Sequence, residues 1–210
     1  MSQAREGQII VPTGGGKTYI MIADCDREIK QCNGKYKTFV VVAPRILLAN
    51  QLSEEFNEHI KSVNVAHVHS GETHHFSTTD HRFLTHWNST TLGHKIIFTT
   101  YHSLHRVLDS MVNIDRIYFD EAHNGTGKNF FKQIKRVADL NIPRFFFTAT
   151  PRISRSKSSI SAERGMNNFN IWGLKLEQTE AWELINSGTI LPPKVIPFET
   201  DRERTKQNAH

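Results

Sequence analysis

Cysteine is scarce in this chain, with only Cys25 and Cys32 among 210 residues. They stand seven apart on what reads as one helix, where a disulfide would be badly strained. Both therefore read as reduced thiols of a cytosol-like compartment. No run approaches the length that crosses a bilayer, and the polar start MSQAREGQ lacks the apolar core of a secretion signal, so no membrane partner is expected. An acidic surplus is missing too. The formal charge is +5 and the sequence pI is near 9.3, which favours encounter with nucleic acid and is equally compatible with simple solubility. With 38% hydrophobic and 22% charged residues the composition is that of a globular chain. Its length suits one well-packed domain, or one domain and an extension, and would cramp a two-lobed enzyme.

What is present is organised around Gln8 to Thr18, QIIVPTGGGKT. A short apolar strand runs into three consecutive glycines, which let the backbone turn tightly and point N–H groups inward. A helix starting at Lys17 adds its positive end, Lys17 reaches outer phosphates of a nucleotide, and the Thr18 hydroxyl suits a magnesium ion. The pattern G-x-x-x-x-G-K-[ST] fails at its first position, where Val11 stands.

Apolar strands then alternate with amphipathic helices. Strands are expected at Thr38–Val42, Val63–Val68, Lys95–Thr99, Asp115–Phe119 and Arg144–Thr148. Helices are expected at Lys17–Lys30, Arg45–His59, His81–Trp87, from about Tyr101, and at Phe130–Leu140. This is the pattern of an α/β fold with an open, mostly parallel sheet and helices on both faces, in which sites form at the carboxyl ends of strands. After Pro151 the pattern decays into a basic, serine-rich connection that is expected to be mobile or to skirt the surface. Leu174–Asn186 reads as a helix stopped by Gly188, followed by an extended segment, Leu191–Ile196.

Asp120 and Glu121 end one of these strands. A carboxylate there holds magnesium while its neighbour orients the water that attacks the γ-phosphate. On an extended backbone adjacent side chains diverge, which suits two different roles. The bland alternative is that the pair caps the next helix. A polar insert from His67 to His86 carries six histidines, but no cysteine joins them and their spacing fits no closed zinc pattern. Surface histidines are the simpler reading.

With these residues in view, the sequence resembles the first, RecA-type motor domain of a superfamily 2 DNA or RNA helicase or translocase, a P-loop NTPase. The resemblance rests on PTGGGKT at Pro12–Thr18, APRILLANQ at Ala43–Gln51, TTYHSL at Thr99–Leu104, DEAH at Asp120–His123 and TATP at Thr148–Pro151. It implies that Thr13, Gly14, Gly15, Gly16, Lys17 and Thr18 cradle ATP. Thr18 and Asp120 would hold Mg2+, and Lys17, Asp120 and Glu121 would be catalytic. His123, Thr148 and Thr150 would couple nucleotide state to the track, while Arg45, Thr99, Thr100 and Ser103 would contact nucleic acid.

The implied partners are single-stranded or duplex nucleic acid, with DNA favoured over RNA, and a second motor domain in cis. The implied location is the cytoplasm or nucleoid, or the host cytoplasm for a viral chain. The expected division is a motor domain over residues 1–164 and a bridge over 165–210. Two features of the family have no counterpart. Little precedes Pro12 to supply the usual adenine-recognising glutamine and aromatic, for which Gln3 and Gln8 are poor substitutes, and no second α/β repeat follows residue 200. The isolated chain is accordingly expected to hydrolyse ATP slowly and not to unwind. A weak nucleic-acid-binding or regulatory module, or the motor part of a restriction or repair assembly, is the alternative.

Overall fold

Near-continuous β-branched and aromatic runs such as Thr38–Ala43 can be buried on both faces only if helices cover both sides of the sheet, and that is what they build. The structure is a computed structural model that describes residues 4–155 and 159–189. Its strands are β1 (Glu6–Ile10), β2 (Thr38–Ala43), β3 (Val63–Val68), β4 (Phe76–Ser77), β5 (His94–Thr100), β6 (Arg116–Phe119), β7 (Arg144–Thr148) and β8 (Lys175–Gln178). The helices are α1 (Lys17–Lys30), α2 (Ile46–His59), α3 (His81–Thr90), α4 (Leu104–Asp109), α5 (Lys128–Asp139), α6 (Ser159–Arg164), α7 (Phe169–Trp172) and α8 (Ala181–Asn186). One sheet takes all eight strands in the order β4-β3-β5-β2-β6-β7-β1-β8, and every pairing is parallel.

Alternate residues of each strand feed opposite cores. Phe39, Val41, Phe98, Tyr118, Phe145 and Phe147 pack with α1 and α2 through Met21, Cys25, Leu52 and Phe56. Val40, Val42, Phe119 and Phe146 face the other way, onto Leu104, Val107, Ile134 and Trp172. Each fully buried aromatic contributes about 1.5–3 kcal/mol relative to exposure, so strands with no polar face are as stabilising here as they are diagnostic. Cys25 is buried and neither cysteine is in a disulfide. No helix among the described residues is long and apolar enough to cross a membrane.

The structure departs from the sequence pattern in several places. Leu174–Asn186 is not one helix: Gly173, at φ 69°, turns the chain, and β8 pairs with β1. The Gln8 N–H donates to the Leu174 carbonyl at 2.8 Å and the Thr179 N–H to the Ile10 carbonyl at 2.9 Å. A side chain on Gly7 would meet Leu176 at 2.3 Å, so the bare backbone of β1 is what admits the strand. An open sheet edge thus overrides local helix preference, leaving only α8 before Gly188. The expected extended segment at 191–196 lies outside the described residues, as do 156–158 in the serine-rich connection.

That connection does not simply skirt the surface. Its later part returns the chain to the core, where Met166 and Trp172 are buried and the Trp172 ring lies 4.7 Å from that of Phe146. Residues on both sides of the expected 164/165 boundary therefore pack into one unit. The histidine-rich insert contributes β4, which pairs with β3 through Ala66 and His67. Tyr19 and Leu47 are exposed, because they fall on the outer faces of α1 and α2.

Candidate active site

Because all strands run parallel, their carboxyl ends share one edge, and the loops leaving them follow strand order along it. The exits of β5 and β2 carry Thr100 and Arg45. Those of β6, β7 and β1 carry Asp120, Thr150 and the glycine loop. The ladders persist to the exits: the Tyr101 N–H donates to Ala43, that of Asp120 to Val42 and that of Val11 to Thr148, at 3.2, 2.8 and 3.0 Å. The loops are held in fixed register as a result.

The glycine loop shows why each residue type is needed. Gly14 and Gly16 take φ of 80° and 84°, a left-handed backbone, and Gly16 is the N-cap of α1. Gly15 sits over Val11, where an added Cβ would lie 2.4 Å from Cγ1 of the valine. Val11 thus fills the room beneath the loop that the missing first glycine would have left open, and Gly15 makes the close approach possible. The Gly15 N–H closes the turn onto the Pro12 carbonyl at 2.9 Å. Thr13 and Gly14 are exposed at its tip, and Thr18 is half-buried in the first turn of α1. Gln8 has a structural task, its amide donating to the Met166 and Gly173 carbonyls, both at 2.8 Å.

Across from the loop, Lys17 Nζ meets Glu121 Oε1 at 2.9 Å, joining residues 104 apart in sequence. Glu121 does not continue the strand as expected. It adopts φ 46°, ψ 54°, a left-handed conformation costing a non-glycine residue about 1–3 kcal/mol. That twist, rather than strand alternation, separates its carboxylate from that of Asp120. Asn124 braces the twist by donating from Nδ2 to the Glu121 carbonyl at 2.8 Å. Burial, followed by the neighbouring Glu121 charge, pushes the Asp120 carboxyl up to about 6, against a partial offset from Lys17.

His123 Nδ1 lies 3.0 Å from Thr148 Oγ1 and 3.5 Å from Glu121 Oε2. Burial lowers its pKa, favouring the neutral ring. The Thr150 N–H donates to Thr148 Oγ1 at 3.1 Å, so Thr150 enters this chain through its backbone while its side chain faces out. The structure therefore gathers Lys17, Asp120, Glu121, His123 and Thr148 beside the glycine loop.

The proposed track residues are arranged differently. Arg45 is exposed at the N-cap of α2. Thr99 is fully buried and spends its hydroxyl on the Val68 carbonyl at 2.8 Å, which withdraws its side chain from any surface contact. The hydroxyl of Thr100 accepts the Ser103 N–H at 3.3 Å, and both residues are nearly buried. A residue that the motif reading passed over joins the two groups: the Tyr101 hydroxyl, from the β5 exit, donates to the Asp120 carbonyl at 2.8 Å. Its place inside TTYHSL was the available signal.

Residues 1–153 match the family described as Type III restriction enzyme, res subunit. The chain belongs to that family. Its fold is shared with solved RecA-like motor domains. A nuclease-deletion mutant of the Type ISP restriction-modification enzyme LlaGI, in complex with a DNA substrate mimic, superposes with a TM-score of 0.71 at 20% identity over 90% of this chain and 19% of that one. The Hef helicase domain of Pyrococcus furiosus gives 0.55 at 19% identity over 83% and 35%. The UvsW helicase of bacteriophage T4 gives 0.56 at 13% over 82% and 54%. This chain thus spans between about a fifth and just over half of these proteins. Among curated proteins, no sequence matches it closely enough to count as a relative. Family and fold together make it a motor domain of the superfamily 2 helicase type.

Proposed function

We infer that this domain binds ATP with magnesium and hydrolyses it, in a DNA-translocating motor of the restriction-enzyme kind. The reading is carried by the meeting of Lys17 with Glu121 at 2.9 Å, which brings the phosphate loop and the DEAH acids to one point. The residues fit the nucleotide. A glycine cradle continues into a helix N-terminus, one lysine stands over it, and burial beside Glu121 holds the Asp120 carboxyl at about 6. Thr18 and Asp120 are the residues to hold magnesium, which when bound supplies charge neutralisation of the phosphate oxygens.

Lys17, only 11% exposed, exchanges its Glu121 partner for an outer phosphate, and the freed Glu121 carboxylate is left to accept the proton of the attacking water. His123, paired with Thr148, ties that carboxylate to the β7 exit and so to whatever docks on this edge. Arg45 and the N–H groups at the start of α2 grip phosphates without reading bases. The similarity in fold to LlaBIII, an ATP-dependent Type ISP restriction-modification enzyme solved bound to DNA, supports DNA as the strand. A second motor domain in cis would supply the transition-state cations and the closing motion, so the domain by itself turns over slowly.

The test is phosphate release with and without single-stranded and duplex DNA, for the wild type and Lys17→Ala. Turnover that survives in the variant would overturn the enzymatic reading. Fluorescent-nucleotide binding that shows no dependence on magnesium would overturn the assignment of Thr18 and Asp120.

A further inference from the structure

Between α1 and the amino end of β6, away from the nucleotide edge, charged side chains are buried where apolar ones are the rule. Asp24 is 2% exposed and shares the inner face of α1 with Met21, Ile22 and Cys25. Its carboxylate accepts from Arg116 Nη1, at the start of β6, from the Tyr118 hydroxyl at 2.9 Å, and from Arg27 Nη2 one turn along α1. Arg116 is itself nearly buried. It reaches Glu28 Oε1 with Nη2 at 3.1 Å and lies over the Phe145 ring, with Cζ 5.0 Å from the centre. Glu28 in turn accepts from Lys37 Nζ at 2.7 Å, just before β2 begins.

Such a network is a poor device for stability. Taking two charges out of water costs about as much as their attraction returns, and apolar side chains of similar shape often do as well or better. What the network adds is direction, and fixing register is the best-attested use of a buried ion pair. The other contacts between α1 and the sheet form an apolar cluster, in which Met21 and Cys25 join Phe39, Tyr118 and Phe145. Apolar attraction is non-directional and tolerates a helix that slides a little along the sheet. A carboxylate held by a guanidinium and a phenol hydroxyl does not.

The two elements joined in this way are the ones that meet at the nucleotide site. Lys17 lies two turns, about 10 Å, before Asp24 on α1, and Asp120 lies about 13 Å beyond Arg116 on the path of β6. A slip of α1 against β6 at the lower end is therefore carried to the upper end. We propose that Asp24, Arg116 and Tyr118 are positioning residues, which pin α1 on β6 so that Lys17 and Glu121 face one another at the spacing hydrolysis requires. A misplacement of about 1 Å between reacting groups costs about a hundredfold in rate. The effect on hydrolysis rests on the motor-domain reading, whereas the pinning of α1 does not, and the experiment separates the two.

The full chain is compared with two variants. Asp24→Leu/Arg116→Met/Tyr118→Phe replaces both charges and the hydroxyl by apolar groups, and leaves Glu28 with Lys37 and Arg27. Arg116→Lys keeps the charge and loses the two-armed reach. Three quantities are read: the thermal midpoint, kcat and KM for ATP, and the backbone amide signals of Gly14–Lys17 and Glu121 without nucleotide. Those amides lie about 10 Å or more along the chain from every substituted residue, so they report movement of the elements rather than the new side chains. The triple variant should melt no lower than the wild type and keep KM within about threefold, because loop and helix move as one body. Its kcat should fall about tenfold to a hundredfold, with the amides displaced. Arg116→Lys should displace the same amides and lower kcat by about threefold to tenfold. It decides the outcome if the triple variant does not fold. Amides that stay in place, or a kcat that stays at the wild-type value in a folded variant of an active chain, overturn the proposal. If the wild type hydrolyses no ATP, the motor reading falls and the amides alone decide: displacement upholds the pin, and unchanged signals overturn it.

Discussion

The exits of β6, β7 and β1 and those of β5 and β2 lie on one edge of one sheet, yet they are built in opposite ways. On the nucleotide side, polar side chains reach across to one another: Lys17 to Glu121, and His123 to Thr148. On the track side, the hydroxyls of Thr99 and Thr100 turn inward to backbone groups, leaving Arg45 exposed to solvent. On the proposed function, chemistry on a phosphate requires groups fixed before the reaction begins, and their mutual bonds would be part of that mechanism. Holding a strand that must slide requires charge and backbone N–H groups, which need no such fixing.

Replacing Glu121 by glutamine tests the first half of this contrast most severely. The amide keeps the shape and the left-handed backbone but cannot take a proton, so turnover should fall by about 10²–10⁴-fold. Nucleotide affinity should rise or hold, because Lys17 loses its competing carboxylate. A stopped-time phosphate assay beside a binding titration checks both. A turnover loss matched by an equal loss of affinity would mean that Glu121 is structural.

Asp120 tests whether that pre-organisation carries a cost. Its carboxyl titrates at about 6 in the folded chain, above the 3.8 of an unperturbed aspartate. A raised carboxyl pKa favours the protonated folded state. The stability it contributes is complete below about pH 4 and is lost as pH rises through about 6. Asp120→Asn should therefore raise stability at pH 7.5 by roughly 1–3 kcal/mol in magnesium-free buffer, with the gain fading towards pH 4. Thermal melts across that range measure it. An equal gain at both ends would remove ionisation as the cause.

How far the sequence disclosed these two halves follows the same division. The glycine-loop side was legible as a cluster because phosphate chemistry dictates residue type at fixed spacing, so Lys17, Glu121, His123 and Thr148 were expected near one another, as they lie, and the buried strands announced themselves by composition. The track side was legible only as segments, because backbone contact leaves side chains free to do other work, as Thr99 does. Two other features depended on distant partners. Buried Asp24, on the apolar face of α1, pairs locally with Arg27, but its burial is sustained as well by Arg116 and by the Tyr118 hydroxyl at 2.9 Å, which lie far from it in sequence. β8 exists because β1 offers an open edge and a glycine, which no local pattern in Leu174–Gln178 conveys.

Tyr101 is where the halves meet, and Tyr101→Phe removes one buried hydroxyl from the Asp120 carbonyl. The packing is retained, so the stability loss should be about 0.5–1.5 kcal/mol. The sharper readout is stimulation of phosphate release by DNA, which should drop while the unstimulated rate holds. Equal loss of both rates would place Tyr101 in the nucleotide site alone and dissolve it as a link.

Arg45→Ala carries the smallest expected effect and makes the finest distinction. A single exposed guanidinium at the start of α2 accounts for one phosphate, so the variant should shift the slope of log affinity against log salt by about 0.7–0.9. That loss should be the same for unrelated DNA sequences, because phosphates carry none of the sequence information. Anisotropy titrations at four salt concentrations resolve a change of this size. Were the slope unchanged but one sequence selectively weakened, Arg45 would be reading a base edge, and the contrast between a rigid chemical side and an indifferent gripping side would fail at the residue on which its second half depends.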